Sequence, residues 1–144
     1  MAETNGDKAL PQKLGIDAGM TVTLLNAPNY FDFDLGDLPE DVEVNRDSDA
    51  SPSEVFLVFA DRSDEAQRAF ERAVTYLPAD GSIWIAWPKT SSDNESDLNE
   101  DVLRDMFQSS GMVSDQVCSI DETWSGLRFV VGEENRADWP APTD

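Results

Sequence analysis

Hydrophobic patterning along the chain predicts alternating strands and helices. Two runs, EVFLVFA at 54–60 and SIWIAW at 82–87, are almost entirely apolar and rich in β-branched and aromatic residues. Such runs are typical of strands buried on both faces of a parallel sheet. Between them the apolar residues recur at a helical period over 63–77, with Ser63 as a candidate N-cap, and a second helical pattern covers about 97–109. The first helical stripe comprises Ala66, Ala69, Phe70, Ala73, Val74 and Leu77.

Shorter strands are predicted near both ends of the chain. TVTLLN at 21–26 and VEV at 42–44 precede the buried runs, and strands at about 115–121 and 125–131 follow the second helix. Only a few residues separate the last two, so we expect them to pair as an antiparallel hairpin. The order predicts one α/β domain with a mostly parallel, Rossmann-like sheet, helices on both faces and a C-terminal hairpin.

The domain is expected to cover residues 13–132. Residues 1–12 are polar and lack periodicity, which indicates a mobile N-terminal tail. Residues 133–144 are acidic and contain proline, and we interpret them as a C-terminal tail. The apolar runs are too short to cross a membrane as a helix, so no membrane contact is expected.

The charge is strongly one-sided, with 30 acidic residues against 10 Lys and Arg and a net charge of −20. The acids are spread along the whole chain, and their mutual repulsion favours solubility while it weakens the compact state. Adaptation to high salt is the favoured explanation; a basic partner and chance variation are alternatives. Direct nucleic-acid binding is disfavoured because no basic patch is present to neutralise phosphates.

Residue types that are missing narrow the possible chemistry. The chain has no histidine, and its only cysteine is Cys118. Serine–histidine nucleophile pairs and thiolate zinc sites are therefore excluded, and no metal is expected. A single cysteine, together with an N-terminal MAETNGDKAL that lacks an apolar signal segment, indicates a cytoplasmic protein.

Three segments carry a resemblance to a known family. KLGIDAGMTVTLLNAP (13–28), GSIWIAWPKTSS (81–92) and VCSIDETWSGLRFVV (117–131) resemble the bacterial family called domain of unknown function 3052. The order of elements also resembles a shortened class I methyltransferase-like domain, in which the last strand is antiparallel and inserted beside the preceding parallel strand. This resemblance spans residues 13–131 and implies a fold, since the family has no established activity.

Two departures from methyltransferases argue against ordinary S-adenosylmethionine binding. The loop after the first strand, NAPNY at 26–30, has no glycine, and Pro28 removes an amide donor. Residues 45–53 also replace a complete helix–strand unit. We therefore expect no cofactor, and the sequence favours a protein that is not an enzyme.

A candidate ligand site is predicted at the carboxyl edge of the sheet, where open α/β sheets bind ligands. Asn26 ends the first strand there, and a hairpin tip at the same edge would bring Asp121 near Lys89 as its counter-ion. Arg128 has an alternative interpretation as half of an ion pair with an acid on a covering helix, or as an exposed edge residue. The candidate ligand-binding residues are Asn26, Lys89, Ser91, Asp121, Trp124, Ser125 and Arg128.

Three functions are compatible with these patterns. The first is a small-molecule-binding or regulatory module on a degenerate methyltransferase-like fold, with its pocket at the carboxyl edge. The second is an unusual enzyme at the same edge, either methyltransferase-like or based on carboxylate and lysine chemistry. The third is an acidic interaction protein without a ligand. The sequence leaves the ligand, any protein partner and the oligomeric state open.

Overall fold

Strands and helices follow one another in the predicted order. The computed structural model describes residues 14–27, 31, 38–46, 52–88, 98–107, 111–120, 124–135, 137 and 139. Its regular elements are strand β1 (Thr21–Leu25), strand β2 (Glu43–Arg46), strand β3 (Val55–Phe59), helix α1 (Ser63–Thr75), strand β4 (Ser82–Pro88), helix α2 (Glu100–Phe107), strand β5 (Met112–Ser119), strand β6 (Trp124–Val131) and a 3₁₀ helix (Glu133–Asn135).

The described strands form one six-stranded sheet in the order β2-β1-β3-β4-β6-β5. β1 pairs in parallel with β2 and β3, and β3 pairs in parallel with β4. β6 is antiparallel to both of its neighbours, β4 and β5, so β5 runs in the same direction as β1 to β4. The prediction of a mostly parallel sheet with a C-terminal antiparallel hairpin is confirmed.

Helices α1 and α2 pack against the same face of the sheet. Because side chains alternate along a strand, Phe56 and Val58 of β3 and Ile83 and Ile85 of β4 point to this face. The predicted α1 stripe is buried there, with Val74 only partly covered. Among the described residues, no helix is long and apolar enough to cross a membrane.

Residues from the N-terminal part of the chain cover the opposite face. Leu57 and Trp84 of the central strands pack there with Leu14, Ile16 and Phe31. Leu14 and Phe31 both have helical backbone, so helical residues lie on both faces of the sheet. The chain thus buries the central strands completely, as their uniformly apolar sequences predict.

Two details differ from the sequence-based expectations. Arg62, not Ser63, occupies the N-cap position of α1, and Ser63 is the first helical residue. The expected C-terminal tail also contributes to the fold. Trp139 packs against the α1 side of the core, and its indole N–H donates a hydrogen bond to the Leu77 carbonyl at 2.8 Å. The folded part of the chain therefore extends past residue 132.

The acidic residues of the described chain lie at its surface. The polar or charged residues that are buried there are Thr23, Ser53 and Ser82, and none of them is an acid. The hydroxyl groups of Thr23 and Ser53 satisfy each other at 2.8 Å. The described acids are therefore solvated, and salt can screen the repulsion between them.

Candidate functional site

The carboxyl ends of the parallel strands meet at one edge of the sheet, as the site prediction requires. Asn26 directly follows β1 at this edge. Trp124 and Ser125 begin β6 at the same edge, where they pair with Pro88 and Trp87 at the end of β4. Three of the predicted site residues, Asn26, Trp124 and Ser125, therefore share the edge.

Three other predicted site residues, Lys89, Ser91 and Asp121, lie outside the described residues. The expected balance of charge between Lys89 and Asp121 stays a prediction. Pro88 directly precedes Lys89 in the chain, and Trp124 directly follows the hairpin tip. These two residues pair with each other between β4 and β6.

Arg128 does not lie at the carboxyl edge. It pairs with Trp84 in the middle of β4, four residues along β6 from Trp124, or roughly 13 Å along a strand. Its Nε and Nη2 groups donate to the two carboxylate oxygens of Asp115 at 2.9 and 2.7 Å. The interpretation of Arg128 as half of an ion pair describes this arrangement, but the acid is on a neighbouring strand rather than on a covering helix. The expectation that Arg128 converges with the edge residues was wrong.

A β-bulge explains how Asp115 reaches Arg128. Ser114 pairs with Phe129 and Gln116 pairs with Arg128, so Asp115 is the extra residue on β5. The bulge lets the carboxylate accept both hydrogen bonds side by side, the geometry that suits guanidinium best. The hydrogen bond to Asp115 raises the pKa of Arg128, against the opposite effect of burial, so the charged form is favoured.

Asn26 has an unusual backbone conformation where β1 ends. Its φ is 61°, in the left-handed region that is costly for most residues and best tolerated by glycine, asparagine and aspartate. The glycine-free loop therefore begins with the kind of turn that glycine often supplies. Unlike glycine, Asn26 places a side chain there, which keeps a ligand farther from the backbone.

An open cleft of about 240 Å³ lies between the end of β1 and helix α1. We call it the β1/α1 cleft, and of the described residues named in the site prediction only Asn26 lines it. Sequence reasoning missed its charged residues on α1. The sequence feature that could have revealed them is a pair of arginines four positions apart on the helix that follows a central strand. The lining residues are Leu25, Asn26, Glu65, Arg68, Ala69 and Arg72.

Arg68 and Glu65 of the β1/α1 cleft make weak or local contacts. Arg68 approaches Asp64 at 3.6 Å, and both side chains are largely exposed, at 73% and 74%. The Glu65 carboxylate accepts the backbone N–H of Asp61 at 3.1 Å. A third arginine, Arg46 at the end of β2, donates from Nη1 to the Ala27 carbonyl at 3.4 Å.

Aromatic rings form a wall on the other face of the carboxyl edge. Trp124 packs edge-to-face on Phe59, with ring centroids 5.0 Å apart, and Phe59 packs edge-to-face on Phe31 at 4.9 Å. Trp124 is half-buried, whereas Phe59 and Phe31 are buried. Trp124 therefore anchors the start of β6 to the core and leaves part of its indole exposed at the edge.

A second cleft, of about 310 Å³, lies between α2 and β5. It is lined by apolar residues such as Phe107 and Met112 and by Arg104, whose Nε donates to Ser114 at 3.0 Å. Met112 begins β5, so this cleft is not at the carboxyl edge. The described residues contain no group of three or more acidic or cysteine side chains placed to hold a metal ion.

Comparison with solved structures identifies the fold. The structure of a DhpI–SAH complex aligns with a TM-score of 0.56 at 13% identity, covering 87% of this chain and 83% of that one. A SAM-dependent methyltransferase from Aquifex aeolicus gives 0.54 at 11% identity, with coverage of 83% and 87%. A ribosomal protein L11 methylase from Lactobacillus delbrueckii subsp. bulgaricus gives 0.56 at 7% identity, with coverage of 91% and 80%. At these identities the likeness shows a methyltransferase-like fold alone.

Sequence comparison supplies the family. No curated protein matches the chain. A family model described as "Protein of unknown function (DUF3052)" matches residues 11–133, which include all six strands and both regular helices. The predicted resemblance is confirmed: the chain belongs to the DUF3052 family and has a methyltransferase-like fold.

Proposed function

We propose that this protein is a small-molecule-binding module that holds its ligand at the carboxyl edge of the sheet and does not catalyse a reaction. The observation that carries the proposal is the β1/α1 cleft, which lies at the end of β1 and combines the Asn26 amide with charged groups from α1. Ligands of open α/β sheets sit outside the carboxyl ends of the strands, which supports this cleft over the one beside β5.

The size and chemistry of the cleft favour binding over methyl transfer. Its volume of about 240 Å³ is below the 300–1,000 Å³ typical of sites for drug-sized ligands. Asn26 stands where a close approach of the backbone to a cofactor would favour glycine. The chain has no histidine to act as a general base, and the carboxylate of Glu65 already accepts a backbone N–H.

A ligand panel tests the proposed function. We expect thermal-shift screening followed by calorimetry to find a small ligand among nucleotides and acidic metabolites, and to find no tight binding of S-adenosylmethionine or S-adenosylhomocysteine. The panel is run at low and high salt, and each ligand that binds is incubated with the protein to detect turnover. A micromolar or tighter dissociation constant for S-adenosylmethionine contradicts the proposal. A panel without any binder also contradicts it and favours an acidic interaction protein.

We also propose that the protein works in a salt-rich cytoplasm. Support comes from the excess of 30 acids over 10 Lys and Arg, and from the surface position of the described acids. Cys118 is buried, and the chain has no second cysteine with which it could form a disulfide, which fits a reducing compartment.

Salt should stabilise the fold over a wide concentration range. The screening length falls from about 10 Å at 0.1 M to about 3 Å at 1 M, so repulsion between neighbouring acids keeps weakening. We expect the melting temperature to rise continuously over this range, by about 3 °C for each kcal/mol gained in a domain of this size. A similar-sized protein with net charge near zero, melted in the same NaCl series, is the control. If the melting temperature rises no more than that of the control, the result argues against salt adaptation.

A further inference from the structure

We propose that the β1/α1 cleft binds the phosphate group of a small phosphomonoester, with Arg68 and Arg72 as its ligands. This inference rests on the proposed function and names the chemical class of the ligand. Its basis is the concentration of guanidinium groups at one strand end in an acidic protein, together with their spacing on α1.

The described side chains that line the β1/α1 cleft carry a net charge opposite to that of the whole chain. The protein carries three acids for each cation, yet the described residues that line the β1/α1 cleft include two arginines and one acid. Arg46 approaches the same place from β2 through its contact with Ala27, next to Asn26. Three of the seven arginines of the chain thus gather at this strand end. A local excess of positive charge in a strongly negative surface favours an anionic ligand.

The spacing of the two arginines suits a phosphate. Arg68 and Arg72 are four residues apart on α1, so they are neighbours on its surface and both reach the cleft. Like charges at this spacing repel each other, and an anion between them removes the repulsion. The planar guanidinium fork matches the oxygen geometry of phosphate, and two forks can share its three terminal oxygens.

The present contacts leave Arg68 available to a ligand. Its approach to Asp64 is long, at 3.6 Å, and both side chains are mostly in water, so the pair contributes little. The remaining lining is the Asn26 amide and the apolar Leu25 and Ala69, which suit the organic part of a small ester. A phosphate attached to a compact group therefore fits a cleft of about 240 Å³ better than a complete dinucleotide.

Glu65 places one negative charge at the cleft. Removing this charge should affect phosphate binding in the opposite direction from removing an arginine charge. Its carboxylate lines the cleft while it accepts the Asp61 N–H at 3.1 Å. A bound phosphate is repelled by this charge. We therefore expect Glu65→Gln to tighten phosphate binding, whereas substitution of either arginine weakens it.

The experiment measures binding of AMP and of adenosine to the full chain by calorimetry at low ionic strength, with inorganic phosphate as a competitor of AMP. We expect AMP to bind at least about tenfold more tightly than adenosine, since charge-assisted hydrogen bonds contribute that much or more. Arg68→Gln and Arg72→Gln should each weaken AMP binding by about tenfold. Arg104→Gln is the matched control, because it removes the same charge from α2, where Arg104 pairs with Glu100. Melting curves verify that each variant is folded.

The outcomes separate this inference from the proposed function. Equal binding of adenosine and AMP overturns the phosphate assignment but leaves a ligand-binding module. AMP binding that Arg104→Gln weakens as much as Arg68→Gln and Arg72→Gln reflects general electrostatics and also overturns the assignment. If neither AMP nor any member of the ligand panel binds, both the phosphate assignment and the proposed function are overturned. If AMP binding is weakened selectively in Arg68→Gln and Arg72→Gln and is tightened in Glu65→Gln, the phosphate assignment and the proposed function are both supported.

Discussion

Trp84→Ala is expected to lower the free energy of unfolding by about 3–5 kcal/mol, the range for removing a buried large aromatic side chain. Trp84 is 0% exposed and lies at the centre of the face covered by Leu14, Ile16 and Phe31. The substitution opens a cavity in this cluster and removes the indole N–H that satisfies the Leu14 carbonyl at 2.9 Å. Denaturant unfolding followed by fluorescence or circular dichroism measures the change.

A pair of variants compares the buried indole of Trp84 with the partly exposed indole of Trp139. Trp84→Phe and Trp139→Phe remove the same indole N–H, but the Trp84 bond is buried, whereas the Trp139 bond to Leu77 is partly exposed. An orphaned buried carbonyl costs about 1–3 kcal/mol, whereas water can replace a partner near the surface. We expect the Trp84 variant to lose clearly more stability. Equal losses would mean that Leu14 is not fixed to the sheet through Trp84.

Gly126→Ala is expected to destabilise the protein by about 1–3 kcal/mol, the usual range for overpacking. A Cβ atom at Gly126 would lie 2.8 Å from Cδ1 of Ile120 and 3.1 Å from Cε3 of Trp84. The Trp84 ring cannot move away because it is buried and hydrogen-bonded. Chemical denaturation gives the difference in unfolding free energy from the wild type.

A second substitution tests whether the contact with Ile120 causes this loss. Ile120→Val removes Cδ1 and alone costs about 0.5–1.5 kcal/mol. In the double variant the valine makes room for the new methyl group, so the total loss should be smaller than the sum of the two single losses. Additive losses would place the strain on the Trp84 ring instead.

These contacts explain much of the segment SIDETWSGLRFVV as structure rather than chemistry. Gly126 leaves room for Trp84, and Arg128 pairs with Asp115. Trp124 packs on Phe59 and exposes only part of its ring. Of the predicted site residues in this segment that the structure describes, Trp124 and Ser125 remain at the carboxyl edge, so the candidate site shifts from the hairpin toward the β1/α1 cleft.

The spacing of apolar residues within short segments was enough to predict the architecture. The uniformly apolar sequences around β3 and β4 require burial on both faces, and the α1 stripe requires a sheet on one side. The short connection between β5 and β6 fixes their antiparallel pairing. Each of these inferences depends on residues close together in sequence, whose spacing repeats at the period of a strand or a helix.

The site depended on contacts that sequence spacing does not encode. Asp115 meets Arg128 because a bulge adds one residue to β5. No periodic pattern of apolar residues in the sequence marks the position of a bulge. Arg68 and Arg72 border the end of β1 because α1 packs across the sheet, although more than 40 residues separate them from Asn26. The sequence by itself determined the order of elements and their buried faces, since these follow from local periodicity. Only the tertiary structure decided which charges meet, because pairing across the sheet is set by register and packing.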